Sequence, residues 1–121
     1  MYGHLASIDG WLCTTQKPYD VTNPSNYRSG HYQRFGLNVQ TMCDPNLRII
    51  YCSIACPCKM NDARAYRKMI GLHKWLDELD DEYFCSGDNV YPFSNKVLIP
   101  FIGASRHEGY NLVYNYYLSQ L

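Results

Sequence analysis

Two aspartates stand where a carboxylate can do chemistry. Asp9 follows the alternating stretch Leu5-Ala6-Ser7-Ile8, and Asp88 follows Tyr83-Phe84-Cys85-Ser86-Gly87. If these segments are parallel neighbouring strands, both side chains emerge at one sheet edge, where α/β sheets place their ligands. Clustered carboxylates hold hard, oxygen-seeking ions such as Mg²⁺ or Mn²⁺. Two such ions about 4 Å apart stabilise the attacking and the leaving oxygen of a phosphodiester displacement. The plainer reading also stands, since Asp before Gly or Asn is a common turn.

The smaller signals carry their own alternatives. Asp62, in Asn61-Asp62-Ala63-Arg64, is either a helix N-cap or an accessory metal or water contact. Cys52, Cys56 and Cys58 invite a zinc reading, but structural zinc sites bring paired ligands from two places, so buried thiols are expected instead. His4, His31, His73 and His107 form no i, i+4 pair, and His73 falls on an apolar helix face as a satisfied core histidine. Lys17, Tyr19, Tyr27, Arg28 and Tyr32 lie in a polar stretch after the first strand. There they either grip phosphates and stack on unpaired bases or pack on the sheet. Trp11 is a wall of the site or a plug at the sheet edge.

The elements that must position these groups are legible in the periodicity. Leu5 to Asp9 reads as a strand that stops at the turn-type pair Asp9-Gly10. Phe35, Leu37, Val39 and Thr41 alternate with Arg34, Asn38 and Gln40, a strand with the first set buried. Asp44-Pro45-Asn46 turns the chain into an antiparallel return over Leu47 to Ala55. Tyr66, Met69, Ile70, His73, Leu76 and Leu79 mark the buried face of one helix that includes Gly71. The strand ending at Gly87-Asp88 follows, then a short apolar piece over Val97 to Ile102. A second helix runs from about Arg106, with Tyr110, Val113, Tyr114 and Tyr117 along one face. The order is strand, β-hairpin, helix, strand, helix: an α/β domain.

Composition bounds the answer. A chain of 121 residues, 46% hydrophobic and 18% charged, supports one domain with a real core. No apolar run approaches the roughly 18 residues of a membrane span, and no secretory signal is visible, so no membrane partner is expected. Eleven basic and eleven acidic residues cancel, against the strongly basic balance of a DNA-coating protein. Charge is nevertheless segregated, with Lys59, Arg64, Arg67, Lys68 and Lys74 in one run and Asp77, Glu78, Asp80, Asp81, Glu82 and Asp88 in the next. Solvated surface is the expected reading of both. Six cysteines without a signal sequence are expected to be reduced thiols.

Ala6-Ser7-Ile8-Asp9-Gly10, Tyr27-Arg28, Leu37-Asn38-Val39-Gln40-Thr41-Met42-Cys43-Asp44, Ser86-Gly87-Asp88-Asn89-Val90-Tyr91-Pro92 and Leu98-Ile99-Pro100-Phe101 occur in one order. Together with Pro57 to Tyr66 they resemble the DDE endonuclease domain of Harbinger-type transposases (PIF/Harbinger) and their domesticated nuclease relatives, over nearly the whole chain. The resemblance implies an RNase H-like fold over residues 1–121. It also implies divalent-metal-dependent DNA endonuclease chemistry with Mg²⁺ or Mn²⁺. Asp9 and Asp88 resemble the first two catalytic, metal-binding carboxylates, Asp62 matches a common family aspartate, and Lys17, Tyr27 and Arg28 are candidate DNA contacts. DNA is the implied partner, with a separate DNA-binding protein as a further one, and the nucleus the implied location, the cytoplasm being the alternative.

The family's third carboxylate lies on a late helix, after an arginine-containing segment. Glu108 precedes that point, so the expectation is a domain truncated at both ends, incomplete at its C-terminus and lacking the third carboxylate. The alternative is a catalytically dead remnant that serves as a binding module or has no function. Cys58 and Val90 stand where the family favours small residues, and both are expected to strain their loops.

Overall fold

Every strand here has a partner. The computed structural model describes residues 2–121, the side chains of Ala55 and Cys56 excepted. Strand β1 (His4–Thr14) pairs antiparallel with β2 (Gly36–Cys43), which pairs antiparallel with β3 (Ile49–Pro57). On its other side β1 runs parallel to β4 (Phe84–Gly87), and β4 runs parallel to β5 (Val97–Leu98). The sheet order is β3-β2-β1-β4-β5. The sequence-based order holds, with two differences: Val97–Leu98 joins the sheet, and the first helix is two helices.

Strand β1 does not stop at Asp9. It continues to Thr14, paired with β2 alone, because Asp9-Gly10 turns a chain only where nothing extends the ladder. Gly10 is needed for a different reason: a Cβ there would collide with the Asp62 carboxylate and the Gln40 amide. At the β2–β3 connection, Asp44 Oδ1 accepts from the backbone N–H groups of Asn46 and Arg48, both at 2.9 Å. Arg48 Nε donates to Asp44 Oδ2 at 2.7 Å. These bonds, the Arg48 backbone N–H first among them, hold the Asp44 carboxyl below the usual range. They also close a turn in which Leu47 takes a φ of 61°, unusual for a side chain of its size.

Helix α1 (Asp62–Arg67) and helix α2 (Ile70–Asp77) cover one face. Met69 adopts ψ 63° between them. Met69, Leu72 and Leu76 are buried at three- and four-residue steps, while Ile70, expected on the apolar face, lies off that stripe and is 79% exposed. The core joins Ala6, Ile8, Met42, Cys85 and Val97 of the sheet to Tyr66, Met69, Leu72, Leu76 and Tyr91. Burial pushes the Cys85 thiol up to about 11 and the Tyr66 phenol up to about 12. His73 is a satisfied half-buried histidine: Nε2 lies 2.9 Å from the Tyr66 carbonyl, and its ring meets the Tyr66 ring edge-on. Lys96 is buried too, and its ammonium donates to the carbonyls of Leu79 and Asp80 at 2.9 and 2.8 Å, tying β5 to the end of α2.

Helix α3 (Gly109–Leu118) follows a 3₁₀ turn over Gly103–His107. Its inner face is Asn111, Tyr114, Asn115 and Leu118, not the expected Tyr110, Val113, Tyr114 and Tyr117, of which only Tyr114 is sheltered. Hydrogen bonds decide this: Asn115 grips both the N–H and the carbonyl of Phe101, and Tyr114 donates to the Ile99 carbonyl. Cys52 is exposed rather than a buried thiol, because it pairs with Thr41 on the face opposite Met42 and the core; Cys58 is partly sheltered, and Cys56 lies outside the described side chains. The basic side chains from Lys59 to Lys74 are all exposed, as expected of solvated surface. Neither Cys58 nor Val90 has a positive φ, so the strain expected at these positions is absent.

The buried stripe has a measurable consequence. Leu72→Ala removes a side chain that is 1% exposed and costs roughly 2–5 kcal/mol in urea unfolding. Ile70→Ala costs about 0.5 kcal/mol or less. Equal losses would mean that Ile70 shares the buried face with Leu72.

Candidate functional site

The parallel pairing of β1 with β4 ends at Ile8 opposite Gly87. Asp9 and Asp88 are the next residue on each strand. Ser7 and Ser86 sit in register one step earlier, with their hydroxyls 2.8 Å apart on a shared face. Side chains alternate along a strand, so Asp9 issues on the face of Ser7. Asp88 lies just past the last residue of β4, two positions beyond Ser86. Both aspartates line one cavity of about 390 Å³, whose far wall is the C-terminal end of α3, with Asn115, Leu118 and Ser119.

Both carboxylates are exposed, and each accepts a hydrogen bond from the backbone that follows it: Gly10 N–H to Asp9 Oδ1 at 2.8 Å, and Val90 N–H to Asp88 Oδ1 at 3.1 Å. Among the described residues neither has a basic side chain within salt-bridge distance. The Ser86 hydroxyl, itself buried, also meets His4 Nε2 at 3.0 Å. Burial holds His4 below the ordinary histidine value, so its ring brings little positive charge to this end of the sheet.

Behind the pair, on the opposite face, lies a polar network that the strand periodicity conceals. Gln40 was expected on the solvent side of β2, yet it is 1% exposed, as is Val39 beside it: β2 is covered on both faces. Tyr91, 2% exposed, donates its hydroxyl to Gln40 Oε1 at 2.7 Å. Gln40 Nε2 donates to Asp62 Oδ1 and to Asn38 Oδ1, each at 2.8 Å. Asn38 Nδ2 completes the ring by donating to Asp62 Oδ1 at 2.9 Å. Tyr91 is pushed well above the ordinary phenol range, by burial first and then by the negative charges of Asp62, Asp9 and Asp88. All three carboxylates therefore act electrostatically on one buried hydroxyl.

Asp62 is neither the cap nor a neighbour of Asp9 on its own face. Asn61 is the cap, its side chain accepting from Arg64 N at 2.9 Å. A Cβ on Gly10 would point at Asp62, so Asp62 lies across the sheet from the Asp9 side chain. Among the described residues no group of three or more His, Cys, Asp or Glu is placed to hold a metal ion. Glu108 precedes α3 and is exposed, whereas the opposite end of that helix lines the cavity, about 16 Å away at 1.5 Å rise per residue.

The other sequence candidates lie apart from the pair. Lys17 is exposed in the segment after β1; Tyr27 is half-buried in a 3₁₀ turn; Arg28 is exposed and donates to Gln33 Oε1 at 2.8 Å. None of the three lines the Asp9–Asp88 cavity. Sequence reasoning missed Asn38, Gln40 and Tyr91, although two amides alternating on a strand otherwise rich in apolar residues were a usable signal.

The DDE superfamily endonuclease family model matches residues 8–121. No curated protein and no solved structure matches.

Gly10 tests the network without touching a polar group. Gly10→Ala should destabilise the chain by about 1–3 kcal/mol, since the new methyl must displace Asp62 or Gln40. A chemical melt unchanged by this substitution would show that the two side chains have room to spare.

Proposed function

The chain belongs to the DDE superfamily endonuclease family, transposase-type nucleases that act on DNA, and on that premise we propose that Asp9 and Asp88 are its metal-binding carboxylates, for Mg²⁺ or Mn²⁺. The observation that carries this reading is their adjacency: consecutive to a paired Ile8 and Gly87 on parallel strands, lining one cavity. The donor set fits the ion. Two exposed carboxylates without a cationic partner repel each other, and a hard divalent cation relieves that repulsion. When bound, such an ion polarises a phosphate oxygen and stabilises charge developing in phosphodiester cleavage.

The chain's own residues do the positioning. The β1–β4 ladder sets the spacing of the two aspartates, and the N–H groups of Gly10 and Val90 orient one oxygen of each. Asp62 serves as a positioning residue through Gln40 and Tyr91 rather than as a ligand of the same ion. The strand order, three antiparallel strands continued by two parallel ones, supports an RNase H-like fold. The Harbinger-type motifs support a transposon-derived nuclease working in the nucleus. Its zero net charge favours a separate DNA-binding protein as a source of further phosphate contacts. None of the described helices is long and apolar enough to cross a membrane.

A second reading, a relative that binds without cutting, is favoured by one observation. Glu108 stands at the wrong end of α3 to join the pair, and two-ion chemistry needs ligands that fix both ions. Residues 1–121 should accordingly hold one ion weakly and cleave at background.

Titration calorimetry should detect Mn²⁺ or Mg²⁺ binding with a Kd on the order of millimolar. Asp9→Asn and Asp88→Asn should each weaken it, and unchanged binding in the double variant would eliminate this site. Supercoiled plasmid incubated with residues 1–121 and Mn²⁺ should remain at background nicking. Nicking that disappears in both Asp88→Asn and Glu108→Gln would overturn that expectation and make Glu108 the third ligand.

A further inference from the structure

Helix α3 turns its two asparagines toward the protein and its large apolar side chains toward water. Asn111, Tyr114, Asn115 and Leu118 face inward, with Tyr114 and Asn115 bonded to the backbone of Ile99 and Phe101. At about 100° per residue, Tyr110, Leu112, Val113, Tyr116 and Tyr117 fill an outer arc of about 160°. These five are between 52% and 94% exposed. From Gly109 to Leu118 the helix carries no charged side chain at all. Phe101 extends the surface, for it is exposed and its ring meets that of Tyr114 edge-on at 5.2 Å. The core is assembled without any of these six residues. A helix that shows solvent its apolar side has the reverse of ordinary surface patterning.

We infer that this outer face of α3 docks a second copy of the chain, the two helices crossing at a two-fold axis near Val113. Area is the first argument. At their exposures the six side chains leave on the order of 700 Å² of mostly apolar surface in water. That exceeds the ~300–600 Å² of the largest patch on a typical monomer. It comes close to the ~800 Å² that each partner gives to a standard-size interface. Charge is the second argument. A two-fold contact sets a face against itself, so any charge near the axis meets its own like. A face with none meets no such penalty, and tyrosine hydroxyls, which both donate and accept, can pair with their counterparts. Nucleic acid and anionic membranes are instead held by lysines and arginines, which α3 lacks.

The face is also ready-made. Asn115 grips both backbone groups of Phe101, so the roll of the helix is set before any partner arrives, and little ordering remains to be done on docking. Asn115, Leu118 and Ser119, which line the Asp9–Asp88 cavity, lie at the inner side and the end of α3. Each copy therefore keeps its own carboxylate pair uncovered, and the inference stands apart from the nuclease reading.

Sedimentation equilibrium of residues 1–121 in EDTA should show monomer and dimer in exchange, with a Kd on the order of 1–100 µM. Val113 lies at the middle of the arc and of the helix, so Val113→Lys and Val113→Glu each bring two like charges together at the axis. Each variant alone should weaken association at least about tenfold, and an equimolar mixture of the two should recover it. Recovery in the mixture separates a lost contact from lost folding, and unchanged far-UV circular dichroism of each variant checks the same point. Ile70→Lys, on an exposed apolar residue of α2, should leave the Kd unchanged. A chain that is monomeric throughout, a Val113→Lys variant that associates like the wild type, or a mixture that stays monomeric would overturn the inference. So would a monomeric wild type that adsorbs to phosphatidylserine vesicles, which would give the face to a membrane. Mn²⁺ calorimetry on Val113→Lys should match the wild type, so failure here and failure of the carboxylate reading are told apart.

Discussion

Gln40 is a polar side chain at a point where the sheet is covered on both faces, so its amide must be paired within the protein. Leaving one such group unsatisfied costs about 1–3 kcal/mol. The pairing that results draws on three places in the chain. Tyr91 comes from the loop just after Asp88, Asp62 from the start of α1, and Asn38 from the same strand two residues away. Gly10, beside Asp9, is small because this ring of hydrogen bonds fills the space above it. One buried amide thus ties the chain beyond Asp88 to Asp62, with Gly10 packed against it.

The consequence is a division of labour between the two faces of the sheet. One face carries the apolar core, α1, α2 and the Gln40 network. The Asp9 side chain issues on the other, toward the cavity closed by the end of α3, and Asp88 lines that same cavity from the end of β4. The buried face fixes position, while the exposed carboxylates keep free oxygens. A carboxylate cannot easily do both: buried and fully hydrogen-bonded, it loses the lone pairs a cation needs. Asp62 illustrates the contrast, with Oδ1 committed to two amides.

Nearby charges reinforce this arrangement. Tyr91 is held neutral by burial and by the three surrounding aspartates, which makes it a dependable donor to Gln40. His4 is held below its ordinary value by burial and meets the buried Ser86 hydroxyl, itself bonded to Ser7, so the strand ends beneath the aspartates are linked by neutral hydrogen bonds. A negative pair above a neutral floor is an environment suited to a divalent cation.

The sequence by itself determined the α/β class, the hairpin at Asp44, the two strand-borne aspartates and the family motifs, because these depend on local periodicity, turn chemistry and residues close in the chain. It misjudged the end of β1, the continuity of the first helix, the inner face of α3 and the exposure of Gln40. Each of those turns on contacts between distant segments. Asp9-Gly10 is a turn signal in isolation, but β2 extends the ladder through it. A run of apolar residues at helical spacing fits more than one face, and only packing on the sheet selects Leu72 rather than Ile70. Tyrosines look buried by type, yet Asn115 sets the roll of α3 through its bonds to Phe101. Whether an amide on a strand faces water depends on what covers it, and only the tertiary structure brings Tyr91 and Asp62 to Gln40.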